Sequence, residues 1–391
     1  MDVKLDNEYT ENDNYYRLTK FRIGTGQFHR PLPGLDNFGR IHSNIRRQFD
    51  YHPFIESYVH ITLEELLSID SIRENQRMFV DRNMVSRENG NLFTFFKILL
   101  RSDESISVKH IEYINSLLSA PENSLVITPL LYRYHLTEKG RISIDSPVEK
   151  DTYFDFTRNF LEIIAGERDE VGIMLPFNIT MTQIPELLGL YKDFKTPFSA
   201  IDEAGKTNSD MYLQLRSLIG FGDSDSYNLI QKHGEEFMLY SFDAKPYRGR
   251  KVSVPATNIL QFDNGFSSYG PRHSVKMKIT RDSQNQNGPA QTILPRIYHH
   301  PMYSYLRPER EDIRNDFISW LDANNIDNSL PFENLVRNYR KDYDFVKQRD
   351  SALELNMLVE ANELDRKLTN NSSIVDEVKK IKRNNRKMRA S

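Results

Sequence analysis

Four short apolar runs in the middle of the chain, each closed by a polar or acidic cluster, constrain the fold more than any other feature. They are Val171-Gly-Ile-Met-Leu-Pro-Phe-Asn178, Pro197-Phe-Ser-Ala-Ile-Asp202-Glu203, Phe237-Met-Leu-Tyr-Ser-Phe-Asp243 and Asn258-Ile-Leu-Gln-Phe-Asp263. Short continuous apolar runs read as strands buried on both faces, as parallel strands covered by helices are. Helix-like segments stand between them: Tyr153 to Ile164, Thr182 to Phe194, Asp210 to Ile219 and Asp225 to His233. The alternation predicts βα units and a parallel sheet. Upstream, Ser57 to Thr62 and Leu125 to Leu131 read as strands. Leu92 to Leu100 fits either a strand or a short buried helix, and Ser107 to Leu118 has helical spacing. With seven or eight candidate strands by residue 263, a closed (β/α) barrel is preferred to an open sheet.

The fold class expected is therefore α/β: a (β/α) barrel-like parallel sheet with a helical C-terminal extension. Residues 1 to 14 are acidic and Asn-rich, a composition that predicts a flexible N-terminus. The barrel-like domain is expected over 15 to 281. An aromatic and basic connecting segment follows over 282 to 310, then a helical extension around Trp320 over 311 to 370, and a basic tail over 371 to 391.

The chain has 391 residues and no cysteine, which excludes disulfides, thiolate nucleophiles, iron–sulfur clusters and the usual structural zinc sites. Any metal must be held by His, Asp or Glu. Neither a signal peptide nor an apolar run of bilayer-spanning length is visible, so the expectation is a cytoplasmic protein without a membrane role. The net charge of −3 gives the bulk of the surface no call for nucleic acid. The tail departs from that average: Lys379, Lys380, Lys382, Arg383, Arg386, Lys387 and Arg389 come with no acid among them and could neutralise phosphates of DNA or RNA. The C-terminal helices could also recruit a protein partner.

In parallel α/β folds functional groups gather at the carboxyl ends of the strands. The catalytic candidates are accordingly Asp202, Glu203, Asp243 and Asp263, which could divide acid and base duties or hold a divalent cation. Lys206, Lys245 and Arg248 follow closely behind those acids and suit an anionic group. Tyr269 and Arg272 open a segment in which aromatic rings alternate with cations, a pattern suited to stacked bases. The plain alternative is that strand-end acids cap helices and the tyrosines pack. His273 and the pair His299-His300 lack the spacing of a known metal motif, and Gly24-Thr-Gly lacks the Gly-Lys-Ser/Thr ending of a phosphate loop.

The series Phe198-Ser-Ala-Ile-Asp-Glu-Ala-Gly205, Phe237 to Ala244 and Asn258-Ile-Leu-Gln-Phe-Asp-Asn-Gly265 resembles the late strands of tRNA-guanine transglycosylase barrels. There a strand ending in Phe-Asp supplies the nucleophilic Asp, and the resemblance implies that role for Asp263. The chain departs from that family at its base-pocket glycines, where Asp202 and Glu203 stand, and it lacks the zinc-binding cysteines. Two functions are expected. One is a nucleic-acid-associated enzyme using strand-end carboxylates on a nucleotide-like or nucleic-acid substrate. The other is a non-catalytic binding or assembly protein working through its helical extension and tail.

Overall fold

The computed structural model describes residues 2–9, 16–22, 33–36, 45, 55–70, 73–84, 92–119, 125–138, 140, 142–180, 182–204, 238–245, 253–263, 265–271, 273 and 294–389. Two five-stranded sheets form its centre. One runs β3 (Leu35–Asp36), β4 (Ile55–Thr62), β5 (Leu92–Leu100), β7 (Leu130–Leu136) and β8 (Ile142–Pro147), parallel except for the β7/β8 pair. The other runs β6 (Val126–Ile127), β9 (Val171–Leu175), β10 (Phe198–Asp202), β11 (Met238–Phe242) and β13 (Ser268–Tyr269), parallel throughout.

The two sheets join at both edges. β6 runs almost directly into β7, so one stretch of chain pairs with β9 and then with β5. At the opposite seam the Gly34 N–H donates to the Tyr269 carbonyl over 2.8 Å, tying β3 to β13. A ring of parallel strands results, closed as a barrel, with the antiparallel β8 standing outside it at the edge of its sheet.

Period-2 alternation sorts each strand's side chains. On β5, Phe93, Phe95 and Leu99 share the lumen cluster with Phe198, Tyr240 and Phe242, whereas Phe96, Ile98 and Leu100 join the layer under the helices. The lumen is filled by stacked rings, with Phe95 to Phe242 at 4.5 Å and Phe93 to Phe198 at 5.1 Å between centroids. The outer layer packs against helices α1 (Leu63–Asp70), α2 (Arg73–Asn83), α3 (Val108–Ser119), α4 (Lys150–Ile164) and α5 (Ile184–Leu190). In α4, Tyr153, Thr157, Phe160, Leu161 and Ile164 recur at helical spacing and are buried. Each large apolar side chain so placed contributes about 1.5–3 kcal/mol. The β4-to-α1 junction has no loop, because Thr62 and Glu65 form a capping box: each side chain accepts the other's backbone N–H at 3.1 Å.

Two expectations change here. Asn258 to Asp263 is not a strand but a 3-10 turn, Ile259–Asp263, with Ile259, Leu260 and Phe262 all buried. The last parallel strand is instead Ser268–Tyr269, at the start of the segment of alternating rings and cations. The N-terminus, expected to be loose, forms strand β1 (Asp2–Tyr9), antiparallel to β2 (Tyr16–Arg22). The Tyr16 hydroxyl of this hairpin donates to Asn356 Oδ1 at 2.9 Å.

Downstream, β12 (Ser253–Pro255), β14 (Ile297–His299) and β15 (Ser304–Leu306) make a small antiparallel sheet in the order β12-β15-β14. It packs on α6 (Glu311–Ala323) and α7 (Phe332–Glu360) through Ile297, Leu306, Phe317, Trp320 and Tyr343. Two further helices, α8 (Leu364–Asn370) and α9 (Val375–Arg389), complete the helical C-terminal region. Among the described residues no helix is long and apolar enough to cross a membrane.

Candidate active site

The chemistry-bearing side chains meet where β10 and β11 end. Asp202 is the last residue of β10 and points into the lumen with no exposed surface. Its Oδ2 lies 3.0 Å from Lys97 Nζ and accepts the Tyr132 hydroxyl at 2.5 Å, while its Oδ1 accepts the Ala204 N–H at 2.8 Å. Lys97 reaches this point by the alternation that puts Phe93, Phe95 and Leu99 in the lumen. Its ammonium sits 4.3 Å from the centroid of the Tyr132 ring and 5.8 Å from that of Tyr58. A buried ion pair is tolerated when its remaining donors and acceptors are also satisfied, and the Tyr132 and Ala204 bonds do this for the carboxylate.

The electrostatics follow from that arrangement. Burial, then the neighbouring Asp202 carboxylate, push the Tyr132 phenol well above its ordinary range, so it holds its proton and acts as a donor. Burial and the Lys97 ammonium lower His60, one strand away, which favours its neutral form.

Asp243 stands just past β11 with φ 54°, and Ala204 just past β10 with φ 46°. Left-handed backbone is uncommon outside glycine, though Asp tolerates it better than Ala. Two such residues side by side at strand ends match the way backbone strain collects at working sites. The Asp243 carboxylate is close enough to Tyr132 to act on its ionisation, and its Oδ1 accepts the His273 N–H at 2.8 Å. The His273 ring lies on Tyr58 at 4.4 Å and bonds through Nε2 to Glu56. The other Glu56 oxygen accepts the Tyr240 hydroxyl. Gly270 leaves room for this, since a Cβ there would collide with the Glu56 carboxylate and the Tyr240 hydroxyl.

Of the acids picked out by sequence, Asp202 and Asp243 reach this mouth. Glu203 is buried but turns away, because neighbours on an extended chain face opposite sides, and its Oε1 accepts the Ser241 hydroxyl behind the strand. Asp202 and Glu203 are therefore not converging partners. The backbone of Asp263 belongs to the 3-10 turn, which removes the strand-end position expected for it. Among the described residues no three His, Asp or Glu side chains converge to hold a metal ion. Lys245 is exposed just beyond Asp243. Tyr269 is buried outside the lumen, edge-on to Phe262, and its hydroxyl donates to Gln348, so it packs rather than faces a ligand. Lys206, Arg248 and Arg272 lie outside the described residues.

In α9 the exposed positions include Lys379, Lys380, Arg383 and Arg386. Lys382 is not available in that way, because its ammonium pairs with Asp365 and is 11% exposed. Lys387 and Arg389 fall on the helix, with side chains outside the described set.

Sequence reasoning missed Lys97, Tyr132, Tyr58 and Glu56. A signal for the first was present: Lys97 is the one cation in the apolar run Leu92 to Leu100, at a position in phase with the lumen-facing phenylalanines.

No family model matches the chain, and no curated protein matches it. Solved structures that superpose on it include a protein described as a fructose-1,6-biphosphate aldolase from Coccidioides immitis, at 8% identity and TM-score 0.30, covering 85% of this chain and 90% of that one. Another is the YdjI aldolase from Escherichia coli K12, at 8% identity and TM-score 0.31, covering 83% and 91%. Superpositions this loose carry no statement about chemistry. The third segment of the transglycosylase resemblance, the one that supplied a strand ending in Phe-Asp, folds instead as the 3-10 turn Ile259–Asp263, so that resemblance is withdrawn.

Proposed function

We propose that the chain is an enzyme of proton transfer, acting at the carboxyl mouth of the barrel on a small hydroxy-carbonyl compound. The observation that carries this reading is the buried Lys97–Asp202–Tyr132 group, in which one carboxylate fixes two different donors at a strand end. The Asp202 oxygens are taken up by Lys97, Tyr132 and the Ala204 N–H, which makes this carboxylate an anchor. Asp202 therefore orients, Tyr132 spends its one O–H on that carboxylate, and the ammonium of Lys97, which has further N–H groups, is the group that polarises a substrate carbonyl. Asp243 is the base. It removes the proton from the carbon beside the carbonyl. The C–H electron pair becomes the C=C bond of an enol, and the carbonyl oxygen takes a proton from the Lys97 ammonium. Return of a proton to carbon regenerates a carbonyl compound, with no oxidant or reductant consumed.

The test is incubation with a panel of hydroxyaldehydes and hydroxyketones in D2O, followed by NMR. Deuterium incorporation beside the carbonyl that needs Lys97 and Asp243 supports the reading, and a panel left unlabelled contradicts it.

A second reading rests on α9, where Lys379, Arg383 and Arg386 recur at helical spacing on the exposed side while Val378 is buried. Such a stripe suits phosphates. Binding of single-stranded or duplex nucleic acid that weakens steeply with salt and is lost in a Lys379→Glu/Arg383→Glu variant supports it, and unchanged binding removes it.

A further inference from the structure

We infer that His273, held by Glu56, is a second proton-transfer group of the mouth and donates or accepts at the substrate position opposite Asp243. The inference rests on the proton-transfer reading and names a further group within it. Three observations carry it. His273 follows the last barrel strand, and its backbone N–H is fixed on the Asp243 side chain at 2.8 Å, so the two residues are placed by a single contact. Its ring is oriented from a second side, stacked 4.4 Å from Tyr58 and 5.4 Å from Phe242. From a third side Glu56 takes Nε2, and Tyr240 fixes that carboxylate in turn.

A histidine whose ring is oriented by a carboxylate, which is itself oriented by a hydroxyl, is the arrangement that makes imidazole an effective acid or base. A histidine that only filled space would need none of it. Among the described residues the groups around His273 include Glu56 and Tyr58 from β4, Phe242 from β11 and Asp243 beyond it, with Tyr240 behind Glu56. Tyr58 is shared by the two groups: His273 stacks on its ring at 4.4 Å and the Lys97 ammonium lies 5.8 Å from its centroid, so imidazole and ammonium stand beside the same side chain of the mouth. Enolisation needs two proton positions, one on carbon and one on oxygen. Asp243 takes the proton from one carbon, the His273 imidazolium gives a proton to the former carbonyl carbon, and the hydroxyl on the first carbon passes its proton to the Lys97 amine left by the first step; the carbonyl moves by one atom, and solvent returns Asp243 and His273 to their starting states.

The experiment uses the full chain. Deuterium incorporation and product formation from the hydroxy-carbonyl panel are followed against pH for the wild type, Lys97→Met, His273→Gln and Glu56→Gln, with the imidazole of His273 observed by 15N NMR. The expected result is that His273→Gln lowers product formation by 100-fold or more and removes one limb of the pH profile. Labelling of the starting compound should fall by a smaller factor than product formation, and Glu56→Gln should move the His273 titration downward along with that limb. Unchanged product formation and pH profile in His273→Gln, with exchange lost in Lys97→Met, would overturn the role of His273 and leave the proton-transfer reading standing. Absence of labelling by the wild type would overturn both. If His273→Gln fails to fold, the Glu56→Gln titration and pH profile decide the matter: a profile that does not follow the His273 titration rejects the inference.

Discussion

Lys97 and Asp202 illustrate how much of this molecule is decided by single side chains. Replacing Lys97 with Met leaves Asp202 buried without its counter-charge, and the expected cost is about 3–5 kcal/mol in urea unfolding. Replacing both, Lys97→Met with Asp202→Leu, should restore much of that loss, because the pair's desolvation cost disappears together with its attraction. Additive losses in the double variant would show that the pair is not a coupled unit. Gly270→Ala is expected to cost about 1–3 kcal/mol by pressing a methyl group against Glu56 and Tyr240. At this scale the sequence was only partly legible. Asp202 and Asp243 stand out because they end apolar runs. Glu56 and Tyr132 do not, since nothing local to either residue marks it as facing the lumen or records the partner it meets across the barrel.

The elements were more legible than the residues. The runs at 171–175, 198–202 and 238–242 are buried parallel strands because their apolar character is continuous, which only a sheet covered on both faces accommodates. The run Ile259-Leu-Gln-Phe-Asp263 deceives because a buried 3-10 turn hides the same apolar residues as a strand of that length. The N-terminal hairpin was hidden for the opposite reason: its composition is polar, and its order comes from pairing and from docking on α7 through Tyr16. Tyr16→Phe should therefore cost about 0.5–1.5 kcal/mol, with Asn356 losing a buried donor. An unchanged urea midpoint would show that the hairpin is held by its ring contacts alone, chiefly that with Phe262.

For the whole molecule, two carboxylates on the helical side set opposite pH trends. Burial pushes Glu354 upward, but the bonds from Lys367, Tyr303 and His300 outweigh it and bring the group down to about 2. The unfolded chain then binds the proton more readily, so this group's stabilisation is complete above about 4.5 and is lost as pH falls toward 2. Burial raises Asp344 from 3.8 to about 6, against the pull of Arg340 and the Tyr298 N–H. Here the folded chain binds the proton more tightly, so stability from this group is greatest below about 4 and declines as pH rises through 6. Asp344→Asn should remove that decline and raise stability at pH 7 by about 1 kcal/mol, measured as the pH dependence of the unfolding free energy. A steeper decline in the variant would reverse the assignment.

On the proposed function, the mouth where β10 and β11 end is a working acid–base site rather than a packed polar core. Asp243→Asn tests it most directly, because Asn keeps the bond to the His273 N–H and tolerates the left-handed backbone while abolishing the base. Deuterium incorporation into the hydroxy-carbonyl panel, measured alongside urea unfolding, should fall by 1,000-fold or more with stability unchanged within about 0.5 kcal/mol. Loss of stability with labelling retained would contradict the claim and make Asp243 a structural residue.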